Sequence, residues 1–544
     1  MRSREAQDTM ENRYVLALDL GTSGPKAALV SSGGTVLHST FERTPLLLLP
    51  SGGAEQDPNH WWEAIRKAVG TLLQRSQVPA EEIEALCCTS QWSGTVAVDR
   101  EGRHLMNAII WMDSRGAPFA KAISGGWPRV QGYGIGKLFH WLRKTGGIPA
   151  HSGKDPIAHI LYVKHVLPEV YRGTYKFLEP KDYINLRFTG RFAASYDSIA
   201  LHWVTDNRNI HRVVYDEKLI AMSTIDGEKL PELKQATEIL GPIRKDVADD
   251  LGLGHHVRVV MGTPDVQSAA IGSGAVRDYA GHLYIGTSSW LTCHVPFKKT
   301  DIVNNMASLP SAIPGKYFVA NEQETAGACV DFLIGTFLNS SPVSGDAESS
   351  VESYAHAESM ARSAPAGSGK VIFMPWLYGE RTPIEDSTVR GGFFNLSLKT
   401  TREHCVRAVY EGVAYNSRWL LQCVEKFIKR RMETVHMIGG GALSDLWCQI
   451  HADVLDRVVR QVKDPIHANI RGAAYLALTA LGLLDFDDVA GHTEIAATYE
   501  PCPENRGIYD ELFGEFTQLY KRNKGIYARL NRSPQGDRPD NGSL

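Results

Sequence analysis

Twice in this chain an apolar strand breaks on a glycine followed by small hydroxyl residues and then resumes. The first copy is YVLALDL, GTSG and PKAALVSS from Tyr14; the second is HLYI, GTSS and WLTCHV from His282. Glycine and serine relieve the sterics of a tight reversal, so each copy predicts two antiparallel strands joined by a short turn. Two such hairpins, their glycines Gly21 and Gly286 lying 265 residues apart, predict a duplicated domain whose second copy begins near Gly281. The length agrees: 544 residues exceed what one hydrophobic core usually supports, so two domains of roughly 200 to 280 residues are expected, with a central cleft between them.

After the first hairpin and a third strand, TVLHSTF, apolar residues recur at helical spacing through NHWWEAIRKAVGTLL, and IEALCCTS returns to strand. VRVVMGTPDVQSAAIGSGA reads as a buried strand, a turn and a helix of small residues, a natural domain junction. This mixed order predicts an α/β fold. The expected boundaries are a disordered tail over 1–13, a first domain over 14–274, a second over 275–490, and a C-terminal helix with a disordered tail over 491–544. The polar stretch from Ser340 to Lys370 reads as surface loop with some helix.

Charge and apolar patterning exclude several function classes. The 58 basic and 61 acidic residues leave a net charge of -3, and the short cluster Lys429, Arg430 and Arg431 reads as a solvated face near a helix end. No nucleic-acid partner is expected. No run approaches the roughly 18 apolar residues that span a bilayer, and the first thirteen residues carry no secretory signal, so a cytoplasmic, membrane-free protein is expected. The eight cysteines lack metal-ligand spacing and are read as reduced, with Cys87 and Cys88 as small core residues.

Five segments carry candidate chemistry. In DLGTSGPK, the backbone of Gly21, Thr22 and Ser23 can face phosphate oxygens, Asp19 can hold Mg directly or through water, and Lys26 can neutralise charge. An ordinary hairpin turn with a strand-end aspartate is the plainer alternative. Gly286, Thr287 and Ser288 repeat that chemistry. In VHMIGGGALSDLWCQI, the glycines let the backbone approach a flat ring or a phosphate, Ser444 is a good helix N-cap, and Trp447 reads as core. In GTPD, a buried strand delivers Asp265 to the start of a helix, where it is either a helix cap or the base that accepts a hydroxyl proton. SQWSG, with Gln91, Trp92 and Ser93, and WMDSR, with Trp111 and Asp113, pair an aromatic plane with hydrogen-bonding groups, which suits a polyhydroxyl ligand.

In this order the segments resemble the FGGY carbohydrate kinases, which share the actin-like (ribonuclease H-like) fold of sugar kinases and heat-shock ATPases. DLGTSG suggests the family, and GGGALSDLWCQI makes the match specific. The likeness runs from Tyr14 to Leu484 and includes GGAEQDPNHWWEA, GERTPIED and VYEGVAYN. It implies two such ATPase domains and Mg-ATP as phosphoryl donor, with the Asp19–Ser23 and Gly286–Ser289 turns embracing the phosphates. Gly440, Gly441 and Ser444 would border the adenosine, and Asp265 would be the catalytic base. The partners implied are a small sugar and ATP, with a homodimer allowed.

Within the family the resemblance is to xylulokinases, which implies phosphorylation of a ketose such as D-xylulose at a primary hydroxyl. SQWSG stands where those enzymes carry Gln-Met-His-Gly, and Trp92 and Ser93 replace the Met and His. That departure leaves another ketose or polyol open, of ribulose, erythritol or fuculose type. A catalytically weak sugar-binding regulator and an actin-type ATPase are the other classes compatible with these motifs.

Overall fold

In the computed structural model, residues 13–338 and 347–531 are described; the expected tails over 1–12 and 532–544 and the stretch 339–346 lie outside them. The first sheet is built from β1 (Tyr14–Gly21), β2 (Gly24–Ser31) and β3 (Val36–Phe41), followed by helix α1 (Pro58–Ser76). Strand β4 (Ile83–Ser90), helix α2 (Pro180–Thr189), β5 (Ile239–Pro242) and β6 (Arg258–Val260) complete it, and helix α3 (Asp265–Gly272) follows. Its strand order is β5-β6-β4-β1-β2-β3, with β1, β4 and β6 parallel and the rest antiparallel.

The second sheet repeats this plan. It comprises β7 (Gly281–Ile285) and β8 (Ser289–Thr292), then helix α4 (Arg402–Ile428), β9 (Thr434–Ile438), helix α5 (Asp445–Leu455) and β10 (Val458–Val462). Helix α6 (Ala468–Ala480), β11 (Ile495–Tyr499) and helix α7 (Pro503–Asn531) close the chain. The order is β8-β7-β9-β10-β11: a hairpin, two parallel neighbours of its inner strand and one antiparallel edge, as in β2-β1-β4-β6-β5. The two GTS turns are therefore equivalent positions of a duplicated sheet.

The two halves exchange helices. Ala269 of α3 packs with Ile438 and Val462 of the second sheet, while Ile470, Ala473 and Ala474 of α6 pack on Val15, Ala17 and Ala85 of the first. Where α3 and α6 cross there is no room for side chains. A Cβ on Gly272 would stand 1.9 Å from the Ala468 oxygen, and one on Gly472 would stand 1.8 Å from the Ser268 oxygen.

Residues after 490 pack on the second domain, and the expected C-terminal helix is α7. Strand β11 is an edge of the second sheet, and Tyr509, Leu512, Phe513, Phe516 and Leu519 of α7 recur at helical spacing and join the second core. The polar stretch before Lys370 holds a helix, Ala347–Ser363, whose Ala357 and Ala361 are fully buried. All eight cysteines are free, and Cys87 and Cys88 are buried. No helix among the described residues is long and apolar enough to cross a membrane.

Candidate active site

The first hairpin brings Asp19 to the rim of its sheet. Asp19 is 8% exposed and pairs across the ladder with Lys26, whose Nζ donates to the Ile466 oxygen at 3.3 Å. Asp19 Oδ2 accepts from Asn469 Nδ2 at 3.4 Å, whereas the buried Oδ1 has no partner. Burial raises the Asp19 pKa, and Lys26 and Asn469 oppose that rise. The turn is held by close packing, since at Gly24 (φ +138°) a Cβ would stand 2.0 Å from the Glu42 oxygen.

The hydroxyl of Thr22 is committed to the neighbouring motifs. Its Oγ1 donates to Gln91 Oε1 at 3.0 Å and accepts from Trp111 Nε1 at 3.0 Å. Gln91 Nε2 donates to Gln56 Oε1 at 2.8 Å, and Gln56 Nε2 returns to the Thr22 oxygen at 2.8 Å. SQWSG and WMDSR are thus bonded to the glycine turn itself. Ser23 is exposed at its tip.

The GTPD turn leaves β6 at Gly262, whose φ of +72° and Cβ position 2.1 Å from the Cys88 oxygen exclude other residues. The N-cap of α3 is Pro264, without a capping side chain, so Asp265 is the first helical residue and not the cap. Asp265 Oδ1 accepts from Val266 N at 2.8 Å. The half-buried Asp265 has its pKa pushed up to about 8, first by desolvation, then by the charge of Asp19, with Glu322 adding to it. Tyr284, in the strand before the second turn, is within electrostatic reach of both Asp265 and Asp19 and stacks on Trp290 with ring centroids 3.9 Å apart.

On the acceptor side, Trp92 Nε1 donates to the Ser198 oxygen at 3.0 Å, and Ser93, at φ +65°, donates to the Lys154 oxygen at 2.7 Å. Asp113 is 1% exposed and accepts from Ala54 N at 3.0 Å and from Arg115 N and Nε at 2.9 Å, so its carboxylate braces the frame.

The second and third glycine turns are adjacent. Gly286 N donates to the Ser288 oxygen at 2.9 Å, and Gly327 N, opening a short helix, donates to the Gly286 oxygen at 2.7 Å; Thr287 is exposed. Cβ atoms on Gly439 and Gly441 would both stand 2.4 Å from Ile285, whereas one on Gly440 would meet nothing within 4 Å. Ser444 caps α5 by accepting from Trp447 N at 3.1 Å, and Trp447, 4% exposed, donates to the Tyr410 oxygen as a core residue.

Sequence reasoning missed several groups here. Asn469 and Tyr284 carried no motif signal of their own. Arg381, inside GERTPIED, bonds Glu322 and Glu324, with Nε and Nη2 at 3.0 and 2.8 Å from Glu324 Oε1. Lys154 feels Arg381, Glu324 and Glu322, and burial lowers its pKa. A hollow of about 650 Å3 lined by Ile313, Thr479, Asp485 and Asp487 lies at the far end of α6 from Asn469 and holds none of these groups. No cluster of three metal-binding side chains occurs among the described residues.

Two family models match in tandem: the N-terminal domain of the FGGY family of carbohydrate kinases over residues 14–272 and its C-terminal domain over 282–481. The chain belongs to the FGGY family of carbohydrate kinases. It is therefore a sugar kinase, with ATP as phosphoryl donor. The FGGY chain is 28% identical to a xylulose kinase of Staphylococcus epidermidis over 526 residues, covering 96% of this chain and 99% of the relative. It is 25% identical to a gluconokinase of Bacillus subtilis, covering 95% and 97%. Among solved structures, a ligand-bound xylulose kinase from Lactobacillus acidophilus matches its fold with a TM-score of 0.82 at 24% identity, covering 95% of this chain and all of the other.

Proposed function

We propose that this kinase transfers the γ-phosphoryl group of Mg-ATP to a primary hydroxyl of a ketose, D-xylulose first among candidates, with Asp265 as general base. The observation that carries the reading is the placement of Asp265. It is half-buried at the start of α3, within reach of the charges of Asp19 and Glu322, with a pKa near 8. A base poised near the working pH combines a useful ionised fraction with proton affinity. Asp265 accepts the hydroxyl proton as that oxygen attacks the phosphorus, and the glycine turns around Thr22 and Thr287 hold the phosphates.

Asp19 fits a magnesium ion, because its buried Oδ1 is a hard oxygen donor without a partner, and Mg²⁺ typically takes one or two carboxylates with substrate phosphates. Bound there, the ion would neutralise charge developing on the phosphate oxygens. Gly440, facing open space, with Gly441 and Ser444 would border the adenosine.

Gln91, Trp92, Ser93 and Trp111 would line the acceptor, with Lys154 donating to one of its oxygens. The Lys154 and Arg381 cations would also suit a sugar acid such as gluconate. Glu322 and Glu324 offset that charge, so a neutral ketose is favoured. Eight free cysteines fit a reducing cytoplasm.

The test is ATP consumption by the purified protein against pentuloses, hexuloses, polyols and gluconate. Strong stimulation by D-xylulose supports the reading. Stimulation by gluconate alone replaces the substrate while keeping the chemistry.

A further inference from the structure

Behind the Met261–Asp265 turn lies a buried group of charges that no step above uses. Lys181 and Asp182 open α2 and are 1% and 0% exposed; Asp197 is also fully buried. Lys181 Nζ bonds Asp182 Oδ1 and reaches the Met261 oxygen at 3.2 Å. Asn185, one turn on, donates Nδ2 to that same oxygen at 2.7 Å. Asp182 Oδ2 accepts from Ser198 Oγ at 2.9 Å, and Asp197 Oδ2 accepts from Thr263 Oγ1. The Thr263 oxygen in turn accepts from Thr89 Oγ1 at 2.7 Å.

The backbone of this turn is only partly held by its sheet. Beyond the end of β6 at Val260, Met261 N and Gly262 N bond the Glu238 and Ala236 oxygens, each at 2.9 Å, and Pro264 bridges to Ser90, whereas the Met261 carbonyl is held by α2 side chains. The same helix reaches the acceptor segment, because Lys181 N donates to Ser90 Oγ at 3.0 Å and Ser90 Oγ donates to the Gln91 oxygen at 2.9 Å.

Stability gives no reason for the charges. Well-packed apolar residues replace buried ion pairs at little cost or with a gain, and here one ammonium faces the three carboxylates of Asp182, Asp197 and Glu179, with Asp197 Oδ1 and Glu179 Oε1 left without partners. What such a cluster supplies is directional bonding to named backbone atoms.

We propose that Lys181, Asp182 and Asp197 form a positioning cluster that fixes the Met261–Asp265 turn, and with it the Asp265 carboxylate, against the acceptor segment at Ser90 and Gln91. The inference rests on the reading of Asp265 as the base. The cluster touches neither substrate and acts through Thr263 and the Met261 carbonyl.

The experiment compares Lys181→Met, Thr263→Val, Thr263→Ser and Asp265→Asn in the full-length protein, with the sugar that stimulates turnover. Misplacing a catalytic group by about 1 Å can cost about 100-fold. Lys181→Met and Thr263→Val are therefore expected to lower kcat about 10- to 100-fold, with both KM values changed by less than about twofold. They should also move the apparent pKa of the kcat/KM profile. Thr263→Ser, which keeps the hydroxyl, is expected to restore most of the rate.

If Lys181→Met fails to fold, Thr263→Val carries the test, since it removes one hydroxyl and keeps the charges. A folded Thr263→Val with unchanged kcat and only a lower Tm overturns the positioning role, even with Asp265→Asn inactive. An Asp265→Asn that turns over normally overturns instead the reading on which the proposal rests.

Discussion

The charge of Asp19, on the first hairpin, acts on Asp265, at the start of α3, and raises its proton affinity. The two residues are 246 positions apart in sequence, yet the fold sets one carboxylate to tune the other. Burial is the first cause of the shift and Asp19 the second, so kcat/KM for the sugar is expected to rise about tenfold per pH unit below pH 8 and to flatten above it. Initial rates between pH 6 and 9.5 measure it.

The same shift makes Asp265 a stability cost. Its folded pKa lies above the ordinary value of 3.8, so the protonated form is favoured by folding, and that contribution is lost as pH rises through about 8. Asp265→Asn, which cannot ionise, is expected to raise the apparent Tm at pH 9 and to change it by almost nothing near pH 4. Thermal scans at the two pH values decide it.

Thr22 ties the phosphate-side turn to both acceptor segments through Gln91 and Trp111. Each hydrogen bond is worth about 1 kcal/mol net, so Thr22→Val is expected to raise KM for the sugar and for ATP together, each by roughly 5- to 10-fold. A change in one KM alone would separate the turn from the segments.

No hydrogen bond or ion pair of the Lys154 ammonium is found among the described residues, although the Lys154 carbonyl holds Ser93. Lys154→Met is expected to raise KM for the acceptor by about tenfold or more, the loss of one charge-assisted hydrogen bond, with KM for ATP unchanged. Steady-state titration of each substrate at saturating levels of the other reads the difference.

Local chemistry made much of this legible before any coordinates. A glycine turn after an apolar strand is a local event, so the hairpins at Asp19 and Gly286 and the strand-to-helix turn at Asp265 were open to sequence reading. The duplication showed only as two short likenesses, and the repeated strand order shows how far it extends. Asn469 could not be found, because its contact with Asp19 spans 450 residues and exists only once α6 has crossed to the first sheet. The bond from Arg115 to Asp113 was readable in principle, since in WMDSR the two stand two residues apart, whereas the Ala54 N–H that Asp113 also accepts is 59 residues away. The helix expected somewhere in the polar stretch runs over Ala347–Ser363, and its bounds gave little apolar signal because Ala357 and Ala361 form its buried face.

The measurement closest to the central claim is turnover of Asp265→Asn with Mg-ATP and the stimulating sugar, with nucleotide binding measured on the same preparation. General-base catalysis contributes about 100- to 10,000-fold, so kcat should fall by at least about 100-fold while ATP binds as in the unaltered protein. A variant that keeps its rate and its pH profile would contradict the role of Asp265 outright.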